Sequence, residues 1–241
     1  GTEDALYDIE SMRRFAGIEL GEESIPDETS YVKFRHFLER HQLTEPIFAE
    51  VNALLGERRL SLKSGTIVDA TLISAPTSTK NRDKARDPEM KVTLKGKQAY
   101  FGMKVHAGTD RQGLVHSLAF TDAAAGDITQ LPELLHGQER ELYGDQAYWK
   151  EDHRLCAQLA GVRYRVNRRA RPGRRLSEYH RALNRKRSSI RARGEHAFGV
   201  VKHLWGFTKT RYRGIAKNAA RAWTMFALAN VYMTRTRLMP G

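Results

Sequence analysis

Three carboxylates stand out for where they sit in the chain. Asp69 falls inside GTIVDATLI, a β-branched, apolar run in which a charge is costly unless it is paired or ligates a metal. Asp145 follows Gly144 in RELYGDQAY, at what reads as a strand end, where α/β sheets bind ligands. Glu195 is the one acid in IRARGEHAFGVVKHLWGF, residues 190–207. No local spacing links the three, so only the fold can gather them. Carboxylate oxygens suit hard cations such as Mg²⁺, which keep several waters. Two such ions about 4 Å apart activate an attacking oxygen and stabilise a leaving oxygen at a phosphodiester; three acids suffice if one aspartate bridges both ions. Each acid also has a plainer reading. Asp69 is then a buried carboxylate bonded to backbone or to an arginine, and Asp145 a helix cap. Glu195 joins Arg191 and Lys202 in a surface ion row worth about 0.5 kcal/mol per pair.

The surroundings of Glu195 bear on that choice. The 241 residues carry a formal net charge of +13. Residues 163–193 hold thirteen Lys or Arg against one acid, Glu178. The charge is therefore a local patch, and a concentrated basic patch attracts polyanions, nucleic acid above all. Arg168, Arg169, Arg174 and Arg175 in that stretch and Lys104 upstream are candidate DNA contacts. Apolar residues make up 40% of the chain, enough for a core. No run approaches the roughly 18 apolar residues of a membrane span, and no signal sequence opens the chain. The single cysteine, Cys156, excludes an internal disulfide and a cysteine-based zinc site, and reads as a packed residue in a reducing compartment.

The elements that must position these residues follow from periodicity. Residues 1–62 read as a small helical region, with Asp27 or Thr29 capping one helix and Pro46 early in another. From Ser64-Gly65 the text turns to strands: GTIVDATLI, then AYFGMKVHAGTD and GLVHSLAFTDA joined as a hairpin. Residues 74–98 read as a long mobile loop. DITQLPELLHG reads as a helix capped by Asp127, RELYGDQAY as a strand ending at Asp145, KEDHRLCAQLAG as a helix and VRYRVNR as a short strand. A helix then carries Glu195, and a last apolar helix spans about 219–234. That helix through Glu195 places Ser188, Arg191, Glu195, Phe198 and Lys202 on one stripe, beside an apolar stripe of Ile190, Ala197, Val201 and Leu204 that packs on the sheet. Gly194 and Gly199 inside it each cost up to about 1 kcal/mol against Ala, which suggests a close backbone approach. The order predicts an α/β fold: a mixed sheet with an antiparallel hairpin first and crossovers later, flanked by helices. Among the histidines, His106, His116 and His196 lie on or near the expected site and read as packing residues before ligands. Tyr148, Trp149 and Trp205 read as core before base-stacking platforms.

IVDAT with Asp69, YGDQAY with Asp145 and IRARGEHAFGVVK with Glu195 resemble the Asp-Asp-Glu (DDE) transposases of bacterial insertion sequences, most closely the group called insertion-sequence family five. SMRRFAGIEL, RDPEM, FGMKVHAG, ITQLPELLHG, FTKTRYRG and FALANVY extend the likeness along essentially the whole chain. The resemblance implies an RNase H-like catalytic core over residues 63–241 behind the helical region 1–62. It implies that Asp69 and Asp145 are shared metal ligands and that Glu195 completes a second metal site, for two Mg²⁺ ions, with Mn²⁺ expected to substitute. Arg191 and Lys202 occupy the places of a family Arg and Lys that contact terminal DNA phosphates. Ser188 stands where the broader motif has a Tyr, so that contact is in doubt. Members carry a longer N-terminal region, so end recognition is expected to be impaired here. Implied partners are double-stranded DNA, as terminal inverted repeats and target, and a second copy of the chain on paired ends; the implied location is the bacterial cytoplasm, at the nucleoid. Two rivals stay open: an RNase H-fold nuclease that cuts without joining, and a transposase-derived DNA-binding protein without catalysis.

Overall fold

Five of the ten residues in β1 (Gly65–Ser74) are β-branched, and β1 forms the middle of the sheet. A computed structural model describes residues 1–61, 65–170 and 173–239. β1 pairs antiparallel with β3 (Gln98–Thr109), with Asp69 opposite Ala107 and Leu72 opposite Lys104. On its other side β1 pairs in parallel with β5 (Glu141–Tyr143), but only over Gly65 to Ile67. β6 (Arg163–Tyr164) continues beyond β5 in parallel. The far edge of β3 is shared: β2 (Lys91–Lys95) pairs with its first part and β4 (Val115–Asp122) with its second. The mixed six-stranded sheet, antiparallel on one side of β1 and parallel on the other, is flanked by helices as expected and is consistent with an RNase H-like domain.

Side-chain alternation splits the core in two. One face puts Ile73, Met103, Val105 and Ala107 against Phe48 of α4 (Thr44–Glu57) and against Ala222 and Phe226 of α8 (Ile215–Leu238). The other packs Val68, Leu142 and Ala119 on Leu131, Leu134, Tyr148 and Val166. α8 is tied to the sheet by a buried amide. Asn230 accepts from the Val115 N–H at 2.9 Å and donates to the Val115 carbonyl at 2.7 Å. The RDPEM segment has a structural task at the same helix: Asp87 accepts from Gly214 N–H at 2.7 Å and Glu89 from Ile215 N–H at 2.8 Å. Two carboxylates thus satisfy donors at the positive end of the longest helix.

The chain divides into two units, Gly1–Thr44 and Glu45–Gly241. The first holds α1 (Thr2–Asp8), α2 (Glu10–Ala16) and α3 (Glu28–Arg40). Asp27 caps α3 as expected, accepting from Ser30 N–H at 2.7 Å. The domain boundary expected at 62/63, and the change of pattern at Ser64, fall on residues 62–64, outside the described residues.

Several expectations are corrected. Residues 74–98 are not all loop, because VTLK alternates and pairs as β2. DITQLPELLHG makes two 3₁₀ turns, Asp127–Gln130 and Pro132–Leu134, and Gly126 takes the N-cap position that Asp127 was expected to hold. β5 stops at Tyr143, and Asp145 caps the next 3₁₀ turn, accepting from Ala147 N–H at 2.7 Å. After that turn come α5 (Glu151–Leu159) and β6, as read. Cys156 on α5 is exposed, not packed. The helix carrying Glu195 is three segments: α6 (Glu178–Arg191), a 3₁₀ turn at Ala192–Gly194, then α7 (Glu195–Gly199), which widens into a π-helix at Val200–Leu204. Its apolar stripe holds at Ala197 and Val201, which are buried, and fails at Leu204, which is exposed. The last helix is longer than expected at both ends.

Candidate active site

β1 runs on past the end of β5, so from Asp69 to Ile73 its edge has no parallel strand beside it, and a parallel bridge returns only at Ser74, to Lys209. A cleft of about 690 Å³ opens there. Asp69, Asp145 and Glu195 all line it, together with Arg191, Lys202 and Lys104. Three separate elements deliver the acids: the middle of β1, the turn after β5 and the first position of α7. What brings α7 close is a glycine. A Cβ on Gly194 would lie 2.9 Å from Ile67 Cγ2 and 3.0 Å from Thr109 Oγ1, so the residue before Glu195 presses its backbone onto β1 and β3. The close approach expected at Gly199 is not found; a Cβ there would meet nothing within 4 Å.

Arg191 joins two of the acids. Its Nη1 donates to Asp69 Oδ2 at 3.1 Å, and its Nη2 lies 3.6 Å from Glu195 Oε1. Asp69 is 20% exposed and Glu195 55%. Burial raises the Asp69 carboxyl to about 6; Arg191 and the Ala70 N–H pull the other way, and the charges of Asp145 and Glu195 add to the rise. Asp69 is therefore a carboxylate whose charge is held in place by a guanidinium. Lys202 reaches β1 from the π-helix, donating to Thr71 Oγ1 at 3.0 Å and to the Leu72 carbonyl at 3.1 Å. Burial, and then Lys95, lower its ammonium pKa.

The donor chemistry fits a hard divalent cation: carboxylates from three elements on one cleft, one of them largely buried. Among the described residues, however, no three His, Cys, Asp or Glu side chains stand close enough to hold an ion as they are. The Arg191 guanidinium lies between Asp69 and Glu195 and supplies the positive charge there.

The remaining expected contacts divide. Lys104 lines the cleft but its ammonium is engaged, donating to Asp127 Oδ1 at 2.8 Å and to the Ala125 carbonyl at 2.6 Å. Arg168 lies against His180, 2.7 Å from its Nε2, and over the Trp149 ring at 5.7 Å. Arg168, Arg169, Arg174 and Arg175 are exposed and do not line the cleft. Ser188 accepts from Asn167 at 2.9 Å, fastening α6 to the segment after β6. His106 and His116 are paired with hydroxyls, His106 with Thr121 at 2.8 Å and His116 with Thr66 at 3.2 Å. His196 is exposed, and none of these three histidines lines the cleft. Tyr148 is core; Trp149 packs on Tyr164 and Trp205 on Tyr232. Sequence reasoning passed over Asp127, His203 and the stretch Thr93–Lys95, all of which line the cleft. Asp127 had the signal of an acid just after a strand, but its cap-like context in GDITQ hid it.

A sheet of this pairing, with an acid-lined cleft where its middle strand outruns a parallel neighbour, defines an RNase H-like domain. Residues 60–231 match the family described as Transposase DDE domain, and the chain belongs to that family. No solved structure matches it.

Proposed function

We propose that this chain is a transposase of the insertion-sequence family five group that cleaves DNA at transposon ends and joins the freed strand to target DNA. Water attacks the phosphodiester at the transposon 3′ end, and the P–O3′ bond breaks to leave a 3′-OH and a flanking 5′-phosphate. That 3′-OH then attacks a target phosphodiester, and the displaced target oxygen leaves as a 3′-OH after taking up a proton. The observation that carries this reading is the convergence of Asp69, Asp145 and Glu195 on one cleft that also presents Arg191 and Lys202.

The residues divide the work. Asp69 and Asp145 would hold a shared ion and Glu195 with one of them a second. Bound Mg²⁺ would supply Lewis-acid activation of the attacking oxygen and charge relief for the leaving one. Arg191 and Lys202 neutralise and orient the phosphates beside the scissile bond. The exposed arginines at 168, 169, 174 and 175 extend the cationic track away from the cleft. In this reading the chain acts as a homodimer on paired ends, in the bacterial cytoplasm at the nucleoid. Among the described residues no helix is long and apolar enough to cross a membrane.

The test is cleavage of duplexes carrying candidate inverted repeats, with Mg²⁺ or Mn²⁺ against chelator, followed by joining of a pre-cut 3′-OH end to plasmid. Cutting and joining by wild type, and neither by Glu195→Gln, support the reading. Cutting without joining assigns a nuclease, and binding without either assigns a DNA-binding protein.

A further inference from the structure

The β2–β3 hairpin, read as loop from sequence, carries an apolar feature that the cleavage chemistry does not use. Residues 91–102 read KVTLKGKQAYFG, with three lysines and no acid. Lys95 pairs with Gln98, leaving Gly96 and Lys97 as a two-residue turn, and Gly96 at φ +64° takes the left-handed backbone that such turns require. Lys91 is held to Asp122 at 3.1 Å; among the described residues Lys95 and Lys97 have no ion-pair partner. Val92 pairs with Phe101 and Leu94 with Ala99, so both share the face of β3 that bears Met103, Val105 and Ala107. That is also the face on which Asp69 lies, opposite Ala107. Leu94 is 73% exposed, and with Thr93 and Lys95 it lines the same cleft as the three acids.

Leu94 is thus a large apolar side chain kept in water, next to Lys95 on a two-stranded hairpin, at the wall of a cleft that presents Lys95, Arg191 and Lys202 beside its acids. Exposed apolar residues flanked by cations suit DNA: the lysines hold the phosphates, and an aliphatic wedge enters between base steps and unstacks them. A second copy of this chain would bring its own positive charge against Lys95, Lys97 and Lys202, whereas a duplex brings the opposite charge. We infer that the β2–β3 hairpin is a DNA-contacting wing whose Leu94 unstacks the base pair at a duplex end lying in the cleft, so that a single strand reaches the carboxylates. This inference rests on the transposase reading.

The test uses the whole chain and a blunt 30-base-pair duplex of arbitrary sequence, in metal-free buffer, with 2-aminopurine in the terminal pair or at an internal pair. Fluorescence reports unstacking, and anisotropy of the same samples reports binding. Wild type is expected to brighten the terminal label severalfold and the internal label little. Leu94→Ser should remove most of the terminal rise while binding within about twofold of wild type. Lys95→Gln and Lys97→Gln should weaken binding and lower the salt slope by about one each. An unchanged terminal rise in Leu94→Ser overturns the wing with the DNA reading intact. So does a wild type that binds without brightening. Failure of wild type to bind DNA at all overturns both. A Leu94→Ser effect confined to sedimentation would assign Leu94 to self-association and also overturn the proposal. Melting curves of the variants, expected to match wild type because these side chains are exposed, confirm that folding is not what changed.

Discussion

Arg191 decides how the acids of the cleft behave. Without bound cations, a guanidinium reaching both Asp69 and Glu195 offsets part of the repulsion between the two carboxylates, and it does so at a mostly buried aspartate. Its removal should separate two roles. Arg191→Gln is expected to bind Mn²⁺ several-fold more tightly than wild type in the absence of DNA, because a competing cation is gone. It should bind DNA more weakly, because a phosphate contact is gone. Mn²⁺ titration by electron paramagnetic resonance and DNA anisotropy on the same preparation check both directions; weaker Mn²⁺ binding in the variant would mean that Arg191 organises the ligands instead of competing for them. Asp127 acts by a different route, since its pairing with Lys104 makes that lysine a fixed part of the cleft wall. Asp127→Asn should leave the Lys104 charge uncompensated while the Ala125 carbonyl still holds the ammonium, so any loss of cleavage in that variant should be partly recovered in Asp127→Asn/Lys104→Met.

At the level of elements, the junction between α6 and α7 fixes the reach of Glu195. Gly194→Ala puts a methyl within 3.0 Å of Ile67 and Thr109, so α7 must retreat or β1 distort, at about 1–3 kcal/mol of stability. Denaturant melts should show that loss, and cleavage should fall further than the stability loss accounts for, because Glu195 moves with the helix end. Asn230 binds both backbone groups of Val115. Asn230→Leu leaves them unpaired in the core and is expected to cost about 2–4 kcal/mol by the same melts. His116 sets a pH limit. Burial, and then the nearby His136, lower it to about 4, while Glu139 and the Thr109 backbone oppose the shift. An unfolded histidine titrates near 6.5, so between these values the unfolded chain binds the extra proton. Stability contributed by neutral His116 is full above pH 6.5 and is lost as pH falls towards 4. The loss amounts to about 2 kcal/mol by pH 5, and His116→Gln should flatten the stability–pH profile over that window.

These same elements show what the sequence makes legible and what it hides. Asp69 was readable because a charge amid Ile, Val and Thr contradicts its neighbours, and burial is indeed what shifts it. The strands β1, β3 and β4 were readable because each is eight or more residues long and carries β-branched and apolar residues. β5 and β6 are three and two residues long, too short for periodicity to set their ends. β2 was hidden by lysines at both ends and by the polar text before it. The break after Arg191 was hidden because Ala192-Arg193-Gly194 carries no proline, and only contact with Ile67 and Thr109 forces the turn. Leu94 had no signal of its own, since its exposure depends on β2 standing at a sheet edge.

For the whole molecule, the formal charge of +13 is concentrated upstream of Glu195 and extends by way of Arg191 and Lys202 into the cleft. DNA affinity should therefore fall steeply with salt, at about 0.9 log unit per log unit of salt for each phosphate neutralised. Lys202→Gln should reduce that slope by about one, measured as anisotropy from 50 to 300 mM salt, roughly. A slope near zero would mean the basic patch faces solvent. The cleft itself demands cooperation between acids far apart in sequence, and cooperation has a kinetic signature: residues that act as a unit do not contribute additively. The most direct measurement is single-turnover cleavage at saturating DNA and Mg²⁺ for Asp69→Asn, Asp145→Asn, Glu195→Gln and the double variant Asp69→Asn/Glu195→Gln. Each single change is predicted to lower the rate by about a thousandfold or more, with the double variant no slower than the worse of its parents. A folded single variant that cleaves within tenfold of wild type would contradict the assignment of these three carboxylates to one catalytic centre.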